Sequence, residues 1–586
     1  MPQFFKFFFA SILAILVFSL IGIFILAGFI NGLTSVERPE VGSKAVLYID
    51  LNKVFMEQSV NNPLPSLGSD EEYDLPGLYD VVRMIKYAKT DTAVKGIYIK
   101  CSGNNNGLAT NDELRNALLD FKESRKFIYA YGDVIPQRAY YVANVADKIY
   151  CNPKGGVDWK GFAIQYMFFK QTLDKLEIEP QIFYAGKFKS ATEPFRADHM
   201  SDANRLQSEV FLNDIYNRFL IQTSMQRHTD TATLHNCANK MLVQSANDAI
   251  AYKLVDAAKY DDEVKIELKA KLGIDKKGMI NFVELGKYAK AAYYKNEKGS
   301  SYIAMIYAQG DIVDGKGERM EIGGDTYRWL IRKARMDDNI KAIVIRVNSG
   351  GGSAMASENI WRELSLARKE KPVVLSFGDY AASGGYYMSC GADSIFAQPN
   401  TLTGSIGVFS ILPNMKKFFN NKLGITFDGV KTSDYADMQT ASRPLNEMEK
   451  KFIQNDIDSI YKTFLGRVSE GRDIPEADVD SIAQGRVWTG TRALDLKLID
   501  RIGGIQDAVD CAARMAKLKA YRLKEYPEPI SWWQSIFGSL KRNTKAAAVK
   551  EELGENGMHI YSTLKKIKKI TGGSQARLPF EMEYDF

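Results

Sequence analysis

Val94-Lys-Gly-Ile-Tyr-Ile-Lys100 and Ile340-Lys-Ala-Ile-Val-Ile-Arg346 are two versions of one apolar segment, offset by 246 residues. The same offset carries Gly132-Asp133 onto Gly378-Asp379, Tyr140-Tyr141 onto Tyr386-Tyr387, and Ala146-Asp147 onto Ala392-Asp393. One spacing kept without a gap records one fold used twice. In each copy, short apolar runs (45–51, 97–99 and 127–130; 301–307, 343–345 and 373–376) alternate with helical stretches such as 78–89 and 329–335. Strands apolar almost throughout, separated by helices, predict parallel sheets covered by helices, an α/β fold. The charged, glycine-containing stretch 295–300 separates the copies. The expected organisation is a stub and anchor at 1–35, repeats at 44–295 and 300–525, and a basic tail at 526–586.

The copies differ where chemistry could sit. Ser383, in Ala-Ala-Ser-Gly-Gly-Tyr, falls opposite Gln137, and with a one-residue slip Lys189 falls opposite Ala436. A serine kept in one copy and a lysine kept in the other suggest one site shared between halves.

The chain of 586 residues is too long for one core and suits two large domains. Its net charge of +6 is small for this length and carries no nucleic-acid inference. Five scattered cysteines without a Cys-x-x-Cys pair argue against a disulfide framework and a zinc site. Four histidines, none spaced His-x-x-x-His, argue against a catalytic metal; no cofactor is expected. Residues 7–30 form a run of 24 without a charge, long enough as a helix (~36 Å) to cross a bilayer. It is longer than a signal-peptide core and lacks a good cleavage site, so a retained anchor is expected. Lys6 before it, with Glu37, Arg38 and Glu40 after, weakly leans the N-terminus toward the cytoplasm. Trp532-Trp533, Ile536 and Phe537, followed by clustered lysines, read either as a segment lying on anionic lipid or as a solvated linker.

Ser383 follows a strand and opens a helix, whose N-terminus favours an oxyanion nearby; an ordinary N-cap serine fits the same pattern. Asn348-Ser-Gly-Gly-Gly-Ser353 can point amides at one developing charge, whereas its first-copy counterpart, Gly103-Asn-Asn-Asn-Gly107, has lost most of its glycines. Serine needs a base, and the second copy has no histidine between Ser301 and Gly557. The first copy offers His199 and Lys189, the latter only if burial pulls its pKa toward neutrality. Lys187 is the natural decoy.

Phe188-Lys-Ser-Ala-Thr-Glu-Pro-Phe195, Arg346-Val-Asn-Ser349, Ala381-Ala-Ser-Gly-Gly-Tyr386 and Leu402-Thr-Gly-Ser-Ile-Gly407 together resemble the long form of signal peptide peptidase A (protease IV), peptidase family S49. The resemblance covers roughly residues 1–520. It implies two tandem crotonase/Clp-protease-like repeats with an N-terminal transmembrane helix. It further implies Ser383 as nucleophile, Lys189 as general base, and Ser405 as a hydroxyl orienting the lysine. Gly351, Gly352 and Gly384 would supply oxyanion amides. The family's usual proline is Gly350 here, which loosens the turn without removing an amide. The implied substrates are cleaved signal peptides and other membrane-associated peptides. The implied setting is the bacterial inner membrane, with the catalytic region outside the cytoplasm and the chain assembled as a homotetramer. Two other classes fit parts of the sequence: a crotonase-like acyl-thioester enzyme and a catalytically silent membrane scaffold.

Overall fold

The computed structural model describes residues 2–34, 39–59, 76–295, 298–528, 573–578 and 583–585. Most of the tail, including the aromatic and lysine-rich stretch at 532–569, lies outside the described residues. The N-terminal helix runs Pro2–Thr34 and exposes apolar side chains such as Phe7, Leu13 and Phe18. Among the described residues no helix is long and apolar enough to cross a membrane.

The two quoted strands sit at equivalent places in two α/β sheets. Val94–Lys100 lies inside a six-stranded sheet, between Ala45–Asp50 and Phe127–Ile135, with Lys148–Val157, Ala257–Ala258 and Phe282–Glu284 further out. Every pairing in this sheet is parallel. Ile340–Ser349 lies inside the second, eight-stranded sheet, between Tyr302–Gln309 and Val373–Ala382. Its pairings are parallel too, except Val487–Thr489 on Leu402–Gly404. Helices such as Leu78–Thr90 and Gly324–Met336 cover the sheets, so residues on both strand faces are buried and the runs are apolar without alternation.

The strands outrun their apolar cores. Val373–Ala382 extends six residues past the run at 373–376 and so delivers the chain to Ser383. Asp379 in this extension meets the first copy, accepting from the Thr110 amide (3.0 Å) and hydroxyl (2.9 Å).

A third sheet joins the copies. Its order is Glu321–Gly323, Asp311–Val313, Gly351–Ser353, Gln575–Arg577, Val408–Asn414 and Glu179–Ala185. Glu179–Ala185 comes from the first copy and runs antiparallel to Val408–Asn414 of the second, from Glu179↔Asn414 to Ala185↔Val408. The copies are also tied through buried charge. The guanidinium of Arg346 donates to Glu57 (2.8 Å) and lies 2.6 Å from Glu113, both first-copy carboxylates.

Candidate active site

Lys189 follows the crossing strand Glu179–Ala185 and is therefore carried to the second copy. Its Nζ donates to Ser383 Oγ at 2.8 Å, to Ser405 Oγ at 3.1 Å and to the Ser405 carbonyl at 3.2 Å. Lys189 is 1% exposed, and Ser383 and Ser405 are fully buried. All three Nζ partners are uncharged, and burial alone holds the ammonium well below the ordinary lysine range.

Ser383 stands at the N-cap position of the helix Gly384–Ser389, but its side chain caps nothing. Its Oγ is engaged instead by Lys189, with a long 3.5 Å contact to the Gly407 carbonyl. Its backbone adopts φ 53° and ψ −115°, and Ser405 adopts φ 49°, conformations that L-residues hold only when their surroundings impose them. Ser383 N–H on Gly404 O (2.7 Å) and Ser405 N–H on Arg486 O (2.7 Å) are part of that constraint.

The structure sorts the other sequence candidates. Lys187 is exposed and lies over the Phe188 ring. His199 is 81% exposed and pairs with Asp198, so it is not brought to the serine. Gln137, the counterpart of Ser383, is buried and clamps a loop, donating to Gly161 O and accepting from the Lys160 and Gly161 amides. Ala436, the counterpart of Lys189, is exposed. Gly351 takes φ +102° and packs against Ala576 and Gly384; a Cβ there would fall 2.0 Å from the Ala576 carbonyl oxygen. The first-copy loop has turned structural: Asn106 accepts from the Phe55 amide and donates to the Leu51 and Lys53 carbonyls.

Two supporting residues carried no signal in isolation. Gly485 of the second copy packs on the lysine backbone, where a Cβ would lie 2.7 Å from Lys189 N. Gln207 donates to the Phe188 carbonyl and Ser190 Oγ while accepting from the Val487 amide, bracketing Lys189 between copies.

The model of "Peptidase family S49" matches the chain twice, at residues 120–275 and 365–519. This chain belongs to peptidase family S49. It is 35% identical to Protease 4 of Salmonella typhi over 87% of this chain and 84% of that one. It is also 35% identical to Protease 4 of Haemophilus influenzae, over 75% of this chain and 72% of that one. With the chloroplastic serine protease SPPA of Arabidopsis thaliana it shares 30% identity, covering 84% and 72% respectively. The S49 chain is a serine protease, and the paired family matches fall on the two copies marked by the 246-residue offset.

Proposed function

We propose that this S49 peptidase works through a Ser383–Lys189 dyad. The observation that carries the reading is a fully buried lysine with only neutral partners, 2.8 Å from a serine held in a strained conformation. A neutral Lys189 amine accepts the Ser383 proton as Oγ attacks a peptide carbonyl, and then passes it to the leaving amine. Ser405, through its hydroxyl and carbonyl, aims the amine at Ser383. Amides of the Gly351–Gly352 turn and of Gly384 stabilise the oxyanion. A crotonase-like thioester enzyme has no use for this lysine, and a silent scaffold has no reason to bury it.

The substrates are cleaved signal peptides and similar membrane-associated peptides. The uncharged run at 7–30 anchors the enzyme in the bacterial inner membrane beside them, with the catalytic region outside the cytoplasm. The enzyme works as a homo-oligomer, the tetramer that the family resemblance implies. The exposed Leu423, Ile425, Phe427 and Val430, clustered on one segment, favour burial against a second copy.

The test is hydrolysis of a synthetic signal peptide by the full chain in detergent. Ser383→Ala and Lys189→Ala are expected to lose turnover while remaining folded, and Lys187→Ala and His199→Ala to keep it. Substantial turnover by Ser383→Ala would sink the proposal.

A further inference from the structure

Ser349 closes the strand Ile340–Ser349, just before the glycine turn, and is 2% exposed. Its hydroxyl donates to the Gly310 carbonyl at 2.6 Å and accepts the Gly351 N–H at 3.1 Å. Gly310 stands between the strands Tyr302–Gln309 and Asp311–Val313, and its own N–H donates to Asn348 O (3.0 Å). Asp311–Val313 then runs beside Gly351–Ser353 through Ile312↔Gly352. One hydroxyl therefore joins the ends of two neighbouring strands to the turn that follows.

The base of this joint is rigid. Asn348 Nδ2 donates to Glu57 of the first copy (2.8 Å), and Asn348 Oδ1 accepts the Tyr380 N–H (3.2 Å). A Cβ on Gly385 would lie 2.9 Å from Ser349 O, so the helix that follows Ser383 packs directly on Ser349. Beyond the turn, Ser353 Oγ donates to Asp314 at 2.6 Å. Gly350, Gly351 and Gly352 fill the interval between these two serines. Glycine gives the backbone its widest choice of conformations, so the turn keeps one shape only if something outside it fixes it.

The Ser349 bonds also sort the amides. The Gly351 N–H is spent on Ser349 Oγ, a local side-chain-to-backbone bond of the kind serine makes in turns. It points at the strand end, which leaves the Gly352 amide as the turn's contribution to the oxyanion. A Cβ on Gly384 would lie 3.1 Å from Gly352 N, so these two backbones meet.

We infer that Ser349 is a positioning residue for the oxyanion: its hydroxyl pins the glycine turn to Gly310 and so fixes the Gly352 amide beside that of Gly384. The inference rests on the Ser383–Lys189 reading. Ser349 lies outside the reacting atoms and acts through the backbone. As Ser383 Oγ adds to a peptide carbonyl, negative charge grows on the carbonyl oxygen only toward the transition state. Amides already in place are therefore felt in kcat and little in KM. Without the hydroxyl, the turn must be ordered during the reaction itself. A serine that served only folding would move the melting temperature and leave turnover alone.

The experiment compares Ser349→Ala with wild type, each as the full chain in detergent, on a synthetic signal peptide. A peptide aldehyde of matching sequence, whose adduct with Ser383 carries the oxyanion, is the inhibitor. Ser349→Ala is expected to lower kcat by between about fivefold and about a hundredfold, the upper figure matching loss of one whole oxyanion donor, with KM within about twofold. The aldehyde's inhibition constant is expected to rise by the factor by which kcat/KM falls, with the pH limb set by Lys189 unmoved. Thermal melting checks the fold; should the alanine variant melt early, Ser349→Cys, close in shape and a weaker acceptor, is read in its place. A fall in kcat of less than fivefold overturns the inference and leaves the dyad standing. So does a loss confined to KM, or a fall in kcat with the aldehyde constant unchanged. Wild type and Ser383→Ala turning over alike overturns the dyad reading and this inference with it.

Discussion

Gly485→Ala tests whether the second copy positions the first copy's lysine. Gly485 takes φ +79°, and a Cβ there would lie 2.7 Å from Lys189 N and 2.8 Å from its Cα and Cβ. Ordinary contact begins near 3.4 Å, so one of the two backbones must give way by more than half an ångström. The turns on either side are locked by Gly485 N–H on Ile406 O and Phe188 N–H on Gln484 O, so the lysine segment is pushed along with its hydrogen-bonded neighbours. Displacements approaching 1 Å at a reacting group cost on the order of 10²-fold in rate. That corresponds to a loss of about 2.7 kcal/mol in transition-state stabilisation. Gly485→Ala is therefore expected to lower kcat on a synthetic signal peptide about a hundredfold. Far-ultraviolet circular dichroism and a melting curve check that the fold survives. A folded Gly485→Ala protein within twofold of wild-type kcat would refute the reasoning.

Because burial lowers the Lys189 pKa, the base becomes neutral at a pH well below 10.5. A kcat/KM profile should therefore rise with pH along a limb set far below an ordinary lysine, and a limb near 10.5 would contradict this. The same shift bears on stability: below the unfolded pKa the unfolded chain binds the extra proton, so the buried lysine costs stability as pH falls toward its folded pKa. Lys189→Met, which keeps the volume and removes the ionisable group, should melt higher than wild type, by about 0.5–2 kcal/mol, while losing activity. Ser405→Ala removes one of three Lys189 contacts and should lower kcat about fivefold, as expected for about 1 kcal/mol, measured with the same peptide. Arg346→Met leaves Glu57 and Glu113 buried without their cation, and should destabilise by about 3–5 kcal/mol in a denaturant titration.

The repeat, the alternation of strand and helix, and the identities of Ser383 and Lys189 as candidates were all legible in the sequence. Each is written locally: apolar runs buried on both faces, glycines where the chain turns tightly, and an offset that makes omissions visible. What only the tertiary structure decided is who meets whom. A lysine 194 residues from its serine reaches it because Glu179–Ala185 crosses to pair with Val408–Asn414, and backbone pairing of this kind leaves no mark in residue types. Lys187 and Lys189 are equal candidates by composition; burial separates them, and burial belongs to the whole fold. The short stretch Gln575–Arg577 has no hydrophobic period that would announce a strand. It becomes one because Gly351–Ser353 and Val408–Asn414 offer unpaired backbone on either side, a property of the assembled site.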